Sequence, residues 1–169
     1  MPRQGIAGAL SAAALICVPT VVHSQAQIPD AIAAPGEIEI AKFHAEGAQI
    51  YECKTDAAGT LSWQLREPVA SLIADGKTAG RHYAGPTWEL EDGSSVAAKV
   101  EARSPGASSN DIPWLKLSVT RGRGDGLLSG VATVQRIETK GGAASGSCDR
   151  AGALLSVPYS AEYRFLKKR

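Results

Sequence analysis

Aromatic residues are scarce in this chain: three tryptophans, four tyrosines and two phenylalanines among 169 residues. Histidine is scarcer still, with His44 and His82 the only ones after residue 26. Neither sign of charge is in excess. Eighteen Lys and Arg stand against 17 Asp and Glu, and Arg3 is the only charge among residues 1–26, so the remainder balances. A nucleic-acid binder carries a basic surplus to neutralise phosphates, and no such partner is expected here. G-x-S-x-G, P-loop and H-E-x-x-H signatures are missing. The glycines at 122, 124 and 126 fail the G-x-G-x-x-G spacing and stand in no strand-to-helix context, so neither a nucleotide cofactor nor a metal is expected.

What is present begins with a targeting pattern. Arg3 gives a positive start, Ile6–Val22 is uncharged and mostly apolar or small, and two small-residue cleavage patterns follow, Val22-His23-Ser24 and Ser24-Gln25-Ala26. Residues 1–26 therefore read as a signal peptide cut after Ala26. A retained membrane anchor is the alternative, disfavoured by Pro19 and by a run shorter than the roughly 20 residues of a span. The mature chain then reads as exported to the periplasm or the extracellular space, and not membrane-spanning. Residues 27–36 read as an extended leader and 37–169 as one domain. Cys53 and Cys148 are the only cysteines left. An even pair in an oxidising compartment is expected to form a disulfide. The alternative, two reactive or metal-binding thiols, lacks C-x-x-C spacing and a nearby histidine cluster.

Period-two alternation dominates the rest. Glu37–Ile40, Ala48–Lys54 and Thr60–Arg66 read as strands, the last with Leu61, Trp63 and Leu65 on one face. Pro68–Asp75 fits a helical turn or an edge strand, and Gly76–Gly80 reads as a loop. Thr87–Glu91, Ser94–Glu101, Pro113–Thr120, a long candidate over Leu127–Ile137, and Ser156–Leu166 complete the set. Turn signals recur between them, and no long 3.6-residue periodicity appears. The expectation is an all-β, single-domain antiparallel sandwich or barrel of about eight short strands.

The densest stretch is Gly80–Val100, GRHYAGPTWELEDGSSVAAKV, where Gly85-Pro86 and Asp92-Gly93 mark turns around a strand that buries Trp88 and Leu90. His82 is open to three readings: a hydrogen-bonded structural residue, a ligand contact, or a general base. Trp63 and Trp88 run in phase with leucines and read as core. Trp114 is out of phase with Leu115 and Leu117 and reads as a stacking surface. One hypothesis is a non-enzymatic binder of a small molecule, glycan or envelope partner using His82, Tyr83, Trp88 and Trp114. A second is a cofactor-free hydrolase or lyase in which His82 is the base, Glu89 or Asp92 orients it, and Arg136 stabilises an anion. A third is a structural envelope or stress protein with no small-molecule site.

GAQIYECK, H-Y-x-G-P-x-W followed by D-G-S, IPWLKL, VQRIETKGG, Cys148-Asp149 and YSAEYRF, in that order, resemble the exported bacterial and fungal proteins grouped as domain of unknown function 3455. The likeness spans roughly residues 36–166. It implies an extracytoplasmic β-rich domain whose biochemical role is unassigned.

Overall fold

A computed structural model describes Met1 and residues 27–169. The proposed signal peptide falls outside the described residues, Met1 apart. Eight antiparallel strands form one closed barrel in which each pairs with the next and the last returns to the first. They are β1 (Glu37–Thr55), β2 (Leu61–Ala74), β3 (Lys77–Tyr83), β4 (Thr87–Leu90), β5 (Ser95–Ser104), β6 (Trp114–Arg123), β7 (Thr133–Gly141) and β8 (Leu154–Lys168). The all-β expectation holds, and of its two architectures the barrel is the one adopted.

The strands are very unequal. β1, β2 and β8 run for 19, 14 and 15 residues, while β3 and β4 have 7 and 4. Glu37–Ile40 and Ala48–Lys54, read as separate strands, are the two ends of β1, and Phe43 and Ala45 carry the inward phase between them. The undecided Pro68–Asp75 segment lies almost wholly in β2. Because β3 pairs with β2 only along Ala70–Ala74, Pro68 sits where the strand has a single neighbour and a missing ladder donor is tolerated. The expected loop over Gly76–Gly80 shrinks to Asp75-Gly76. Both residues have positive φ (50° and 72°), as a two-residue hairpin turn of matching twist requires, and β3 starts at Lys77.

The long strand expected over Leu127–Ile137 begins only at Thr133. Asp92 and Ser94, in the β4–β5 turn, draw the preceding residues into a loop: Leu127 N donates to Asp92 Oδ2 (2.7 Å) and Leu128 N to Ser94 Oγ (3.2 Å). The leader is also more ordered than an extended arm. Asp30–Ile32 make a 3-10 turn, Ile32 is wholly buried, and Gln135 Nε2 donates to its carbonyl (2.6 Å).

Inward residues of alternate positions fill the barrel. Phe43, Leu72, Trp88, Leu117, Tyr163 and Phe165 form its centre, with small residues such as Ala45 and Ala161 between them. Phe43 and Trp88 both meet Phe165 edge-on, with centroids 5.8 and 6.1 Å away. Cys53 and Cys148 are bonded, tying the loop between β7 and β8 to the far end of β1. Backbone bonds from Cys53 N to Ala153 O and from Gly152 N to Cys53 O (2.9 Å each) fasten the same join.

The short β3–β4 hairpin leaves part of the barrel wall unpaired. β4 pairs with β5 only along Ser95–Ala97, so beyond Ala98 one edge of β5 has no strand beside it, and neither does β2 from Gln64 to Val69. The wall is low there, and the barrel interior opens sideways between β2 and β5.

Candidate functional site

His82 and Trp88 are cross-strand partners at that opening. Alternation along β3 turns Gly80 and His82 inward and Arg81 and Tyr83 outward, while β4 turns Trp88 and Leu90 inward. The two rings stack 4.4 Å apart and 6° from parallel, and Tyr163 leans against both at 5.1 and 5.3 Å. His82 is 3% exposed and Trp88 1%. Thr87 O lies 2.9 Å from His82 Nδ1, and since a carbonyl only accepts, Nδ1 carries the proton. Burial lowers the His82 pKa to about 3, with the charge of Arg136 adding to the effect and the Thr87 bond opposing it. At neutral pH His82 is an uncharged imidazole.

Arg136, on β7, is 8% exposed, and its Nε and Nη2 donate to Pro113 O at 3.2 and 2.9 Å. No carboxylate among the described residues pairs with it. Three buried side-chain donors among the described residues are unpartnered: Nε2 of Gln49, a residue only 1% exposed, and Nε1 of Trp88 and of Trp114; the first two belong to residues of one cavity. Gln49, His82, Trp88, Arg136 and Tyr163 line a cavity of about 110 Å³ that reaches the surface between β2 and β5. Pro68, Pro86, Val100 and Leu115 supply apolar wall, and the exposed Arg103 stands at its rim. Tyr163 OH is 3.3 Å from Tyr159 OH, and burial raises the pKa of both phenols.

The four residues expected to bind together do not converge. His82 and Trp88 do, at the cavity. Tyr83 points outward, where its hydroxyl donates to Glu89 Oε2 (2.8 Å) and Arg81 lies over its ring at 5.2 Å. Trp114 is half-buried, opposite in phase to the inward Leu115 and Leu117, and it is not part of the cavity wall. Trp63, read as core, is half-buried beside the disulfide as the pair partner of Cys53.

The general-base arrangement divides in the same way. Glu89 is on the outer surface, bonded to Tyr83 and to Arg81 Nη2 (3.1 and 3.2 Å), and these two neighbours hold its carboxyl below the usual range. Asp92 lies in a turn at the other end of the barrel, where Ser94 and Leu127 N lower its pKa. Only Arg136 of the three expected helpers shares the cavity with His82. Gln49 is the cavity residue that the sequence reading misses; it shares a face of β1 with the buried Tyr51 and Cys53. Its signal is an amide in the phase of a buried face.

Fold and cavity together define a closed antiparallel β-barrel with a mainly apolar pocket in its wall that holds a few buried polar groups. The chain belongs to the family described as Protein of unknown function (DUF3455), whose profile matches residues 33–167. No curated protein and no solved structure matches it.

Proposed function

We propose that the mature chain is an exported domain that binds a small molecule, without turning it over, in the cavity between His82 and Arg136. What carries this reading is that two residues of one cavity hold unpartnered donors, Gln49 Nε2 and Trp88 Nε1, whereas the third such donor, Trp114 Nε1, lies elsewhere. A buried polar group without a partner costs roughly 1–3 kcal/mol, and a bound acceptor would remove that cost. Eight-stranded barrels are also wide enough inside for one small ligand. The disulfide fits an oxidising compartment, which supports export.

A glycan-stacking surface fits less well, since Trp88 is buried and Trp114 lies elsewhere. Catalysis by His82 lacks an orienting carboxylate, and a pKa of about 3 leaves a weak base. The test is a thermal-shift screen of small polar compounds against residues 27–169 and the Gln49→Leu variant. A compound at 100 times its dissociation constant should stabilise the wild type by about 2.7 kcal/mol. The variant should be more stable alone and lose the ligand shift. A broad screen with no stabilising compound would leave the structural reading of His82 in its place.

A further inference from the structure

We infer that the occupant of this cavity is a small organic monoanion, a carboxylate on a short apolar chain, held by Arg136 within and Arg103 at the rim. The inference rests on the small-molecule reading above and names the class of ligand.

Two guanidinium groups and no acidic side chain line the cavity, although the chain as a whole is almost neutral. Buried cations are as a rule paired, because removing a charge from water without a counter-charge is costly. Arg136 has the Pro113 carbonyl and the neighbouring Tyr163 hydroxyl, both uncharged, which occupy part of its five-donor fork. An arriving carboxylate would supply the missing counter-charge, and planar guanidinium suits it in geometry.

Hydrogen-bond polarity points the same way. Arg136, Gln49 Nε2 and Trp88 Nε1 are all donors; the last two make no hydrogen bond of normal geometry among the described residues, although the Tyr159 hydroxyl lies near Gln49. A ligand that brings acceptors answers these three donors, and the unprotonated Nε2 of His82 is an acceptor that the cavity residues themselves offer. An ammonium or a metal cation would meet two arginines at close quarters and is excluded on charge.

Size and lining narrow the class further. A cavity of about 110 Å³ is somewhat smaller than the roughly 150 Å³ space that admits benzene, which suits four to six non-hydrogen atoms. Pro68, Val100 and Leu115 offer a dry wall to an alkyl tail, which a bare inorganic anion would leave unused. With Arg136 the one buried cation in the wall, a single charge is matched better than the double charge of phosphate.

Isothermal titration with sodium propanoate and butanoate, against propanamide and butanamide, tests the class in carboxylate-free buffer. Inorganic phosphate and neutral sugars are run alongside. The carboxylates should bind at least about tenfold more tightly than the amides of the same shape, the difference expected for a charge-assisted contact. Arg136→Gln should abolish that preference. Because this variant also disturbs the Pro113 contact, Arg103→Gln is the second probe. It should weaken the carboxylates several-fold with an unchanged circular dichroism spectrum. Amides or sugars binding as well as carboxylates would overturn the inference while leaving a binding cavity. Phosphate binding more tightly would overturn the organic class alone. Silence from every compound here overturns the carboxylate assignment, and silence across the broader screen as well removes the binding reading beneath it.

Discussion

The rings of His82 and Trp88 lie 4.4 Å apart and 6° from parallel, as directly paired residues of adjacent strands. That stack is built for a neutral imidazole. Its proton is committed to Thr87 O, Arg136 lies on the same cavity, and Tyr163 closes against both rings. A second proton on His82 would place a buried positive charge close to Arg136.

Stability should therefore fall in acid through His82. Its folded pKa, about 3, lies below the ordinary 6.5, so the unfolded chain binds the proton more readily. Stability from this group is complete above pH 6.5 and is lost as the pH falls from there to about 3, by on the order of 5 kcal/mol in all. Urea unfolding at a series of pH values, with His82→Phe as reference, measures the effect. The wild type should show the steeper decline through this window. Parallel declines would mean that His82 is not held neutral.

The disulfide should carry a comparable share. Cys53 and Cys148 are 95 residues apart, and closing a loop of that length is worth about 4–5 kcal/mol in the chain-entropy account. The bond also holds the loop before β8 against β1. Replacing both cysteines with serine should lower the unfolding free energy by about 2–5 kcal/mol, read from the urea midpoint. Adding reductant should then affect the wild type and not the variant. An unchanged midpoint in the double variant would show that the bond contributes nothing.

The alternation that makes the barrel was legible wherever a face is continuously apolar, as in Tyr159, Ala161, Tyr163 and Phe165 of β8. It failed where tertiary bonds override pattern, as at Leu127 and Leu128, whose backbone donors are captured by Asp92 and Ser94 more than thirty residues away. Leu65 shows a different limit. It keeps the inward phase but is 56% exposed, because the β1–β2 register shifts beside it and β2 has lost its second neighbour. At the site, His82 and Trp88 stood out by rarity and came together. Tyr83 stood beside them in sequence, and strand alternation sent it to the opposite face. Whether Arg136 would meet His82 depended on β7 and β3 facing each other across the barrel, a relation between strands that local pattern does not encode.

Gly47 tests how tightly β1 and β2 are drawn together. A Cβ there would overlap the Val69 carbonyl and come within 2.5 Å of Ala70 Cα and 2.7 Å of its Cβ. These are backbone atoms or atoms fixed to the backbone, so a rotamer change cannot relieve the clash. Gly47→Ala should destabilise the domain by about 1–3 kcal/mol, the usual cost of overpacking. A thermal midpoint equal to that of the wild type would show that the two strands part easily.

Mutation can separate the two faces of the β3–β4 hairpin. Tyr83, Glu89 and Arg81 make a cluster on the outer surface, while His82 and Trp88, interleaved with them in sequence, line the cavity. Tyr83→Phe and Glu89→Gln break the outer hydrogen bonds without touching any cavity-lining atom. An exposed interaction of this kind is worth little, so both variants should remain within about 0.5 kcal/mol of wild-type stability. Their affinity for any compound found to bind the cavity should also be unchanged. Trp88→Phe removes the unpartnered indole N–H and part of the stack, and should weaken that binding even when its circular dichroism spectrum is intact. If the outer variants reduced affinity as much as Trp88→Phe, the binding surface would be the outside of the hairpin, and the sequence grouping of His82, Tyr83, Trp88 and Glu89 would have to be read on that face.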